Sequence, residues 1–139
     1  MAIEIYMIFN GNCREAVEYY SQVFKTEEPK IMTFGDSPQN PEYPLPEDAK
    51  NLVMHANLTI GDRTIMFSDT FPGSPFVQGN NISLTYMSKD IDDIKSVFNK
   101  LKDGGKVEMD LQETFWSKCY GNLTDKFGIH WQVSLESEQ

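Results

Sequence analysis

Histidine and cysteine are scarce in this chain, two of each among 139 residues. Two cysteines, Cys13 and Cys119, are too few for the disulfide framework of a small secreted domain. Basic side chains are short too: 12 Lys and Arg stand against 21 Asp and Glu, for a net charge of −9. A nucleic-acid backbone or an anionic membrane surface would be repelled by that balance. The densest basic stretch, Lys95 to Lys106, is broken by Asp103 and by glycines, so it reads as a solvated helix face. No apolar run approaches the roughly 20 residues that span a bilayer. The opening MAIEIYMIF lacks a basic leader region and a small-residue cleavage site, and a cytoplasmic location is expected.

What remains is a composition that packs, with 40% hydrophobic and 12% aromatic residues. Glu4 to Phe9 reads as a strand and Asn10 to Asn12 as a turn. Asn12 with Glu15 has the spacing of a capping box. The helix Cys13 to Phe24 then carries Ala16, Val17, Tyr20, Val23 and Phe24 on one stripe. The pattern returns later: Ile82 to Met87 is a strand, Ser88 or Asp90 a cap, and Ile91, Ile94, Val97, Phe98 and Leu101 a second stripe ending at Gly104 and Gly105. At an offset of 77, Ile5 falls on Ile82, Met7 on Leu84, Phe9 on Tyr86 and Tyr20 on Val97.

Strand patterns follow each helix, at Ile31 to Phe34, Leu52 to Ile60 and Thr64 to Ser68, then at Val107 to Met109, Lys118 to Thr124 and Ile129 to Leu135. Asn-Leu-Thr recurs at Asn57 and Asn122. The expected fold is α+β, two tandem βαβββ modules in a single domain over 1–139, with module one at about 1–70 and module two at about 80–139. One module alone would bury little of its sheet. Within module one lies the stretch 35–51, whose four prolines exclude helix and central strand and make a long stiff loop.

Three stretches, FNGNCREAVEYYSQVF, MHANLTIGDRTIMFSD and FWSKCYGNLTDKFGIHWQV, resemble the vicinal oxygen chelate superfamily of glyoxalase I, extradiol dioxygenases and fosfomycin- and bleomycin-resistance proteins. Within it they are most similar to the PhnB-like, or 3-demethylubiquinone methyltransferase-like, branch. The resemblance implies a cup-shaped sheet from each module, a homodimer, and in metal-dependent relatives a metal at the base of the cup. Its ligands there come from the first and last strands of each module, usually His or Gln and then Glu. On this chain those positions are Ile5, Met66, Ile82 (Asn81 if the register slips) and Gln132. Only Gln132 carries a donor of the usual kind, so no cofactor is expected, and a divalent metal is the alternative. No glycine-rich strand-to-helix loop offers an S-adenosylmethionine site, which argues against methyl transfer.

The candidate cup-lining residues are Met7, Phe9, Met66, Leu84, Trp116 and Gln132. Phe115 and Trp116 suit a binding rim, with Lys118 either meeting an anionic ligand group or standing as a solvated charge. Ser68 and Asp69 close the strand of Met66 and are expected at the cup mouth, against a plain turn role for Asp69. His55 and His130 read two ways: as acid, base or ligand residues, with Asp69 completing a metal set, or as strand histidines bonded at a sheet surface. Cys13, at a helix start, is either a thiol made more acidic by the helix dipole or a buried structural residue. Three functions stay open: a metal-free small-molecule binder, a divalent-metal enzyme of the glyoxalase or dioxygenase type, and a dimeric scaffold whose cup its own side chains fill.

Overall fold

Both strand-helix repeats form as complete modules in a computed structural model, which describes residues 1–137. In order the elements are β1 (Tyr6–Phe9), α1 (Cys13–Phe24), β2 (Lys30–Thr33), β3 (Val53–Ile60), β4 (Arg63–Asp69), β5 (Ser83–Ser88), α2 (Ile91–Leu101), β6 (Lys106–Gln112), β7 (Tyr120–Thr124) and β8 (His130–Leu135). The chain divides into two compact units between Phe76 and Val77. The first holds a sheet of order β1-β4-β3-β2 and the second a sheet of order β5-β8-β7-β6. In each, the first strand runs parallel to the last and the other pairings are antiparallel.

In the first unit the helical stripe supplies the core: Ala16, Val17, Tyr20 and Val23 are buried as α1 lies on β3 and β4. The rings of Phe9, Phe67 and Tyr20 follow one another, 6.3 Å and then 6.2 Å between centroids. The expected capping box does not form, because Asn12 makes no side-chain cap bond. Asp69, at the end of β4, takes that role from across the sheet, its Oδ1 accepting from the amides of Gly11 and Cys13, each at 2.9 Å. In the second unit Ile94, Val97, Phe98 and Leu101 are buried, and Asp90 caps α2 by accepting from the Asp92 amide. Gly121 on β7 lets α2 approach: a Cβ there would stand 2.7 Å from a ring carbon of Phe98.

Several strand ends differ from expectation. β1 begins at Tyr6, although the Ile5 carbonyl still accepts from the Met66 amide. β2 stops at Thr33, where Thr33 and Asp36 cap a short 3₁₀ turn reciprocally, and those bonds hold the Asp36 carboxyl below its usual range. β6 extends to Gln112 with two register irregularities. The proline-rich 35–51 stretch is closed at its base by the amides of Phe34 and Gly35, which donate to the carbonyls of Leu52 and Lys50. Among the described residues no helix is long and apolar enough to cross a membrane.

Candidate functional site

Each sheet has one face against its helix and one face away from it, and the pairing registers fix which residues share the second face. In the first unit one row on that face reads Tyr6, Met66, Asn57 and Lys30. A neighbouring row contains Ile8 opposite Ser68 and His55 opposite Met32. The rings of Tyr6 and His55 stand 6.0 Å apart. Met66, His55 and Ser68 thus lie on the open face. Met7 and Phe9 do not: Phe9, 4% exposed, packs on Phe67 toward α1, and Met7 shares its parity.

Asp69 also turns toward the helix side. It is 5% exposed, and besides the α1 amides its Oδ2 accepts from the Val53 amide at 2.9 Å. The expected placement at a cup mouth is therefore corrected, and so is the metal set with His55, which lies on the opposite face of the same sheet. Cys13 is the buried structural residue of its two readings, 0% exposed. Burial, and after it the Asp69 carboxylate, push the thiol up to about 12 against a smaller opposing effect of Arg14. Such a thiol is inert at neutral pH.

The open face of the second unit is more polar. Its rows are Ser83, His130, Thr124 and Lys106; then Thr85, Gln132, Asn122 and Met109; then Met87, Ser134, Tyr120 and Gln112. Leu84, expected to line the cup, lies on the other parity with Tyr86, whose hydroxyl donates to Asp93 of α2. Burial and the Asp93 bond push that phenol well above its usual range. Gln132 is held at both ends: its Oε1 accepts from the Tyr120 hydroxyl at 2.7 Å and its Nε2 donates to Ser83 Oγ at 2.9 Å. His130 Nδ1 meets the Thr124 hydroxyl at 2.8 Å.

Above Tyr120 stands Trp116, edge-on at 5.1 Å, with Phe115 edge-on to Trp116 at 4.7 Å. The turn carrying both is closed by Thr114 N–H donating to the Ser117 carbonyl, and Ser117 Oγ donates to the carbonyls of Cys119 and Leu135. Lys118 is exposed just before β7. Trp131 is core, its indole N–H donating to the buried Asp125. Sequence reasoning missed Tyr120, Asn122, Thr124 and Ser83 as face residues. The alternation of the first three with Gly121 and Leu123 was the available signal.

The registers also correct the positions at which relatives hold metal. In the first unit Met66 faces Tyr6, not Ile5; in the second Gln132 faces Thr85, not Ile82. Thioether, phenol, hydroxyl and an engaged amide are poor donors for a divalent ion, which takes carboxylate, imidazole or thiolate. Among the described residues no three His, Cys, Asp or Glu side chains gather as a metal-binding group. The residues present do not fit the metal that the fold implies.

A glyoxylase/bleomycin resistance/dioxygenase domain from Frankia sp. EAN1pec shares the fold at 12% identity, with TM-score 0.67 over 99% of this chain and 98% of that one. The protein PA1353 of Pseudomonas aeruginosa is nearer, 36% identical with TM-score 0.83 over 99% and 100% of the two chains. A PhnB protein from Bacillus cereus is 26% identical with TM-score 0.75 over 98% and 100%. Protein YjdN of Escherichia coli is 31% identical over 149 residues, which span 100% of this chain and 98% of YjdN. The architecture is a glyoxalase-like fold built from two βαβββ modules. Residues 1–134 match the family described as 3-demethylubiquinone-9 3-methyltransferase, and the chain belongs to that PhnB-like family.

Proposed function

We propose that the protein binds a small organic molecule on the open face of the second unit's sheet, without a metal at the position its fold family uses. The observation that carries this reading is the Gln132 amide, engaged by Tyr120 and Ser83, with the Trp116 ring edge-on against Tyr120. An amide so engaged orients a polar face; rings beside it supply area for a ligand. Met66, Ser68 and His55 on the first unit's open face are the further candidates. Residues 1–139 are read as one domain made of both units.

The methyl transfer in the family's description is not carried to this chain. The β1–α1 connection has a single glycine, and the amides of Gly11 and Cys13 are occupied by Asp69 instead of facing a cofactor. A divalent-metal enzyme of the glyoxalase or dioxygenase type is the alternative that the donor set disfavours.

The test is metal content of protein purified without a chelating tag, followed by thermal shift with millimolar magnesium, manganese and zinc. Substoichiometric metal and an unchanged Tm are expected, because an ion that bound only the folded state would raise Tm. Stoichiometric metal would overturn the reading. Light scattering on the same preparation tests the proposed homodimer, expected at twice the 15.9 kDa chain mass. That assembly would cover edge strands whose Tyr6, Ile8 and Met87 are exposed.

A further inference from the structure

We infer that the ligand of the second unit's open face is an elongated monoanion with an aromatic end and a carboxylate end. The inference rests on the reading of that face as the binding surface and adds the ligand's chemical class. Its basis is a polarity gradient along the strands. At the Tyr120 end the exposed Trp116 packs edge-on against Tyr120, itself only 7% exposed, and Phe115 packs edge-on against Trp116. Four residues further along β7, Thr124 shares a row with His130 and Lys106. At about 3.3 Å per residue the two ends are ~13 Å apart.

Charge distinguishes this face from the rest of the chain. Acids outnumber bases 21 to 12 overall, yet none of the side chains that β5, β8 and β7 present here is a carboxylate. Asp125, beside Thr124, is buried and occupied: Oδ1 accepts from the amides of Phe127 and Ile129, and Oδ2 from the Trp131 indole. The edge strand β6, which supplies Lys106, also carries Glu108 and Asp110, at its two register irregularities between Val107 and Met109 and between Met109 and Gln112. Thr124 Oγ1 and His130 Nδ1 stand 2.8 Å apart; in the tautomer where the hydroxyl donates, the ring proton sits on Nε2, from which it would donate to a carboxylate beside the Lys106 ammonium. Asn122, between the two ends, adds an amide to the path.

The probes are ω-phenyloctanoate, whose extended span is on the order of the ~13 Å separation, and its neutral counterpart ω-phenyloctanol, each titrated calorimetrically below its aggregation limit. The carboxylate is expected to bind at least about tenfold more tightly than the alcohol, and short phenylacetate far more weakly than either. Lys106→Gln, at an exposed position, and His130→Gln should each narrow the difference, and the double variant should remove it. Equal binding of acid and alcohol, both weakened by Trp116→Ala, would overturn the anionic class and leave the binding face standing. Binding of neither probe, or binding indifferent to Trp116→Ala, would remove the binding face itself and the inference with it.

Discussion

Asp69→Ala is expected to lose about 3–5 kcal/mol of unfolding free energy, the largest stability effect of any single change at a polar position in the first unit. Its carboxylate is buried and accepts three backbone amides, from Gly11, Cys13 and Val53, each at 2.9 Å. Those donors belong to the start of α1 and the start of β3, so one side chain on β4 ties three elements together. A bond to a charged acceptor contributes roughly 1.5–3 kcal/mol, and removing the acceptor leaves the donors desolvated and unmet. The three losses overlap, because the freed α1 end can relax toward water. Asp69→Asn keeps one acceptor oxygen for the α1 amides but turns an NH₂ toward Val53, and about half the alanine loss is expected. Urea unfolding measures both; a loss below about 1 kcal/mol for alanine would contradict the role.

Trp116→Ala should act on binding and leave the fold nearly untouched. The indole is 52% exposed and rests edge-on against Tyr120, so its removal opens no cavity in the core, and the stability change should stay within about 1 kcal/mol. The turn that presents it survives, because the Thr114 and Ser117 bonds do not use the indole. Affinity for ω-phenyloctanoate and ω-phenyloctanol should fall together, by more than about tenfold, since the lost contact is with the ring end both share. Trp116→Phe should retain part of it. Unchanged affinity for both probes would place the ligand elsewhere.

How far the sequence could be read depended on whether the two faces of an element differ chemically. The helix Cys13–Phe24 was legible to its ends because its apolar stripe is flanked by charge. In β8 the polar His130 and Gln132 alternate with Trp131 and Val133, and the structure puts the first pair away from α2, as the alternation predicts. β1 offered no such contrast: Tyr6 and Ile8 are as apolar as Met7 and Phe9, so only packing against Phe67 and Tyr20 decides which pair is buried. Leu84 was expected to line the cup, even though Ser83 and Thr85 marked the polar side of their own strand. Asp69 could not be read at all, since its donors lie 58, 56 and 16 positions away. The same distance in sequence explains why Gln132 looked free to coordinate: its partners Tyr120 and Ser83 are brought to it by the sheet.

The binding of an organic molecule to this face without metal is tested most directly by an amide-detected NMR titration of EDTA-treated protein with ω-phenyloctanoate. Shifts are expected at the Trp116 indole, at the side-chain amides of Asn122 and Gln132, and along Tyr120–Thr124 and His130–Leu135. Shifts confined to other strands, or binding that begins only when a divalent ion is added back, would contradict it.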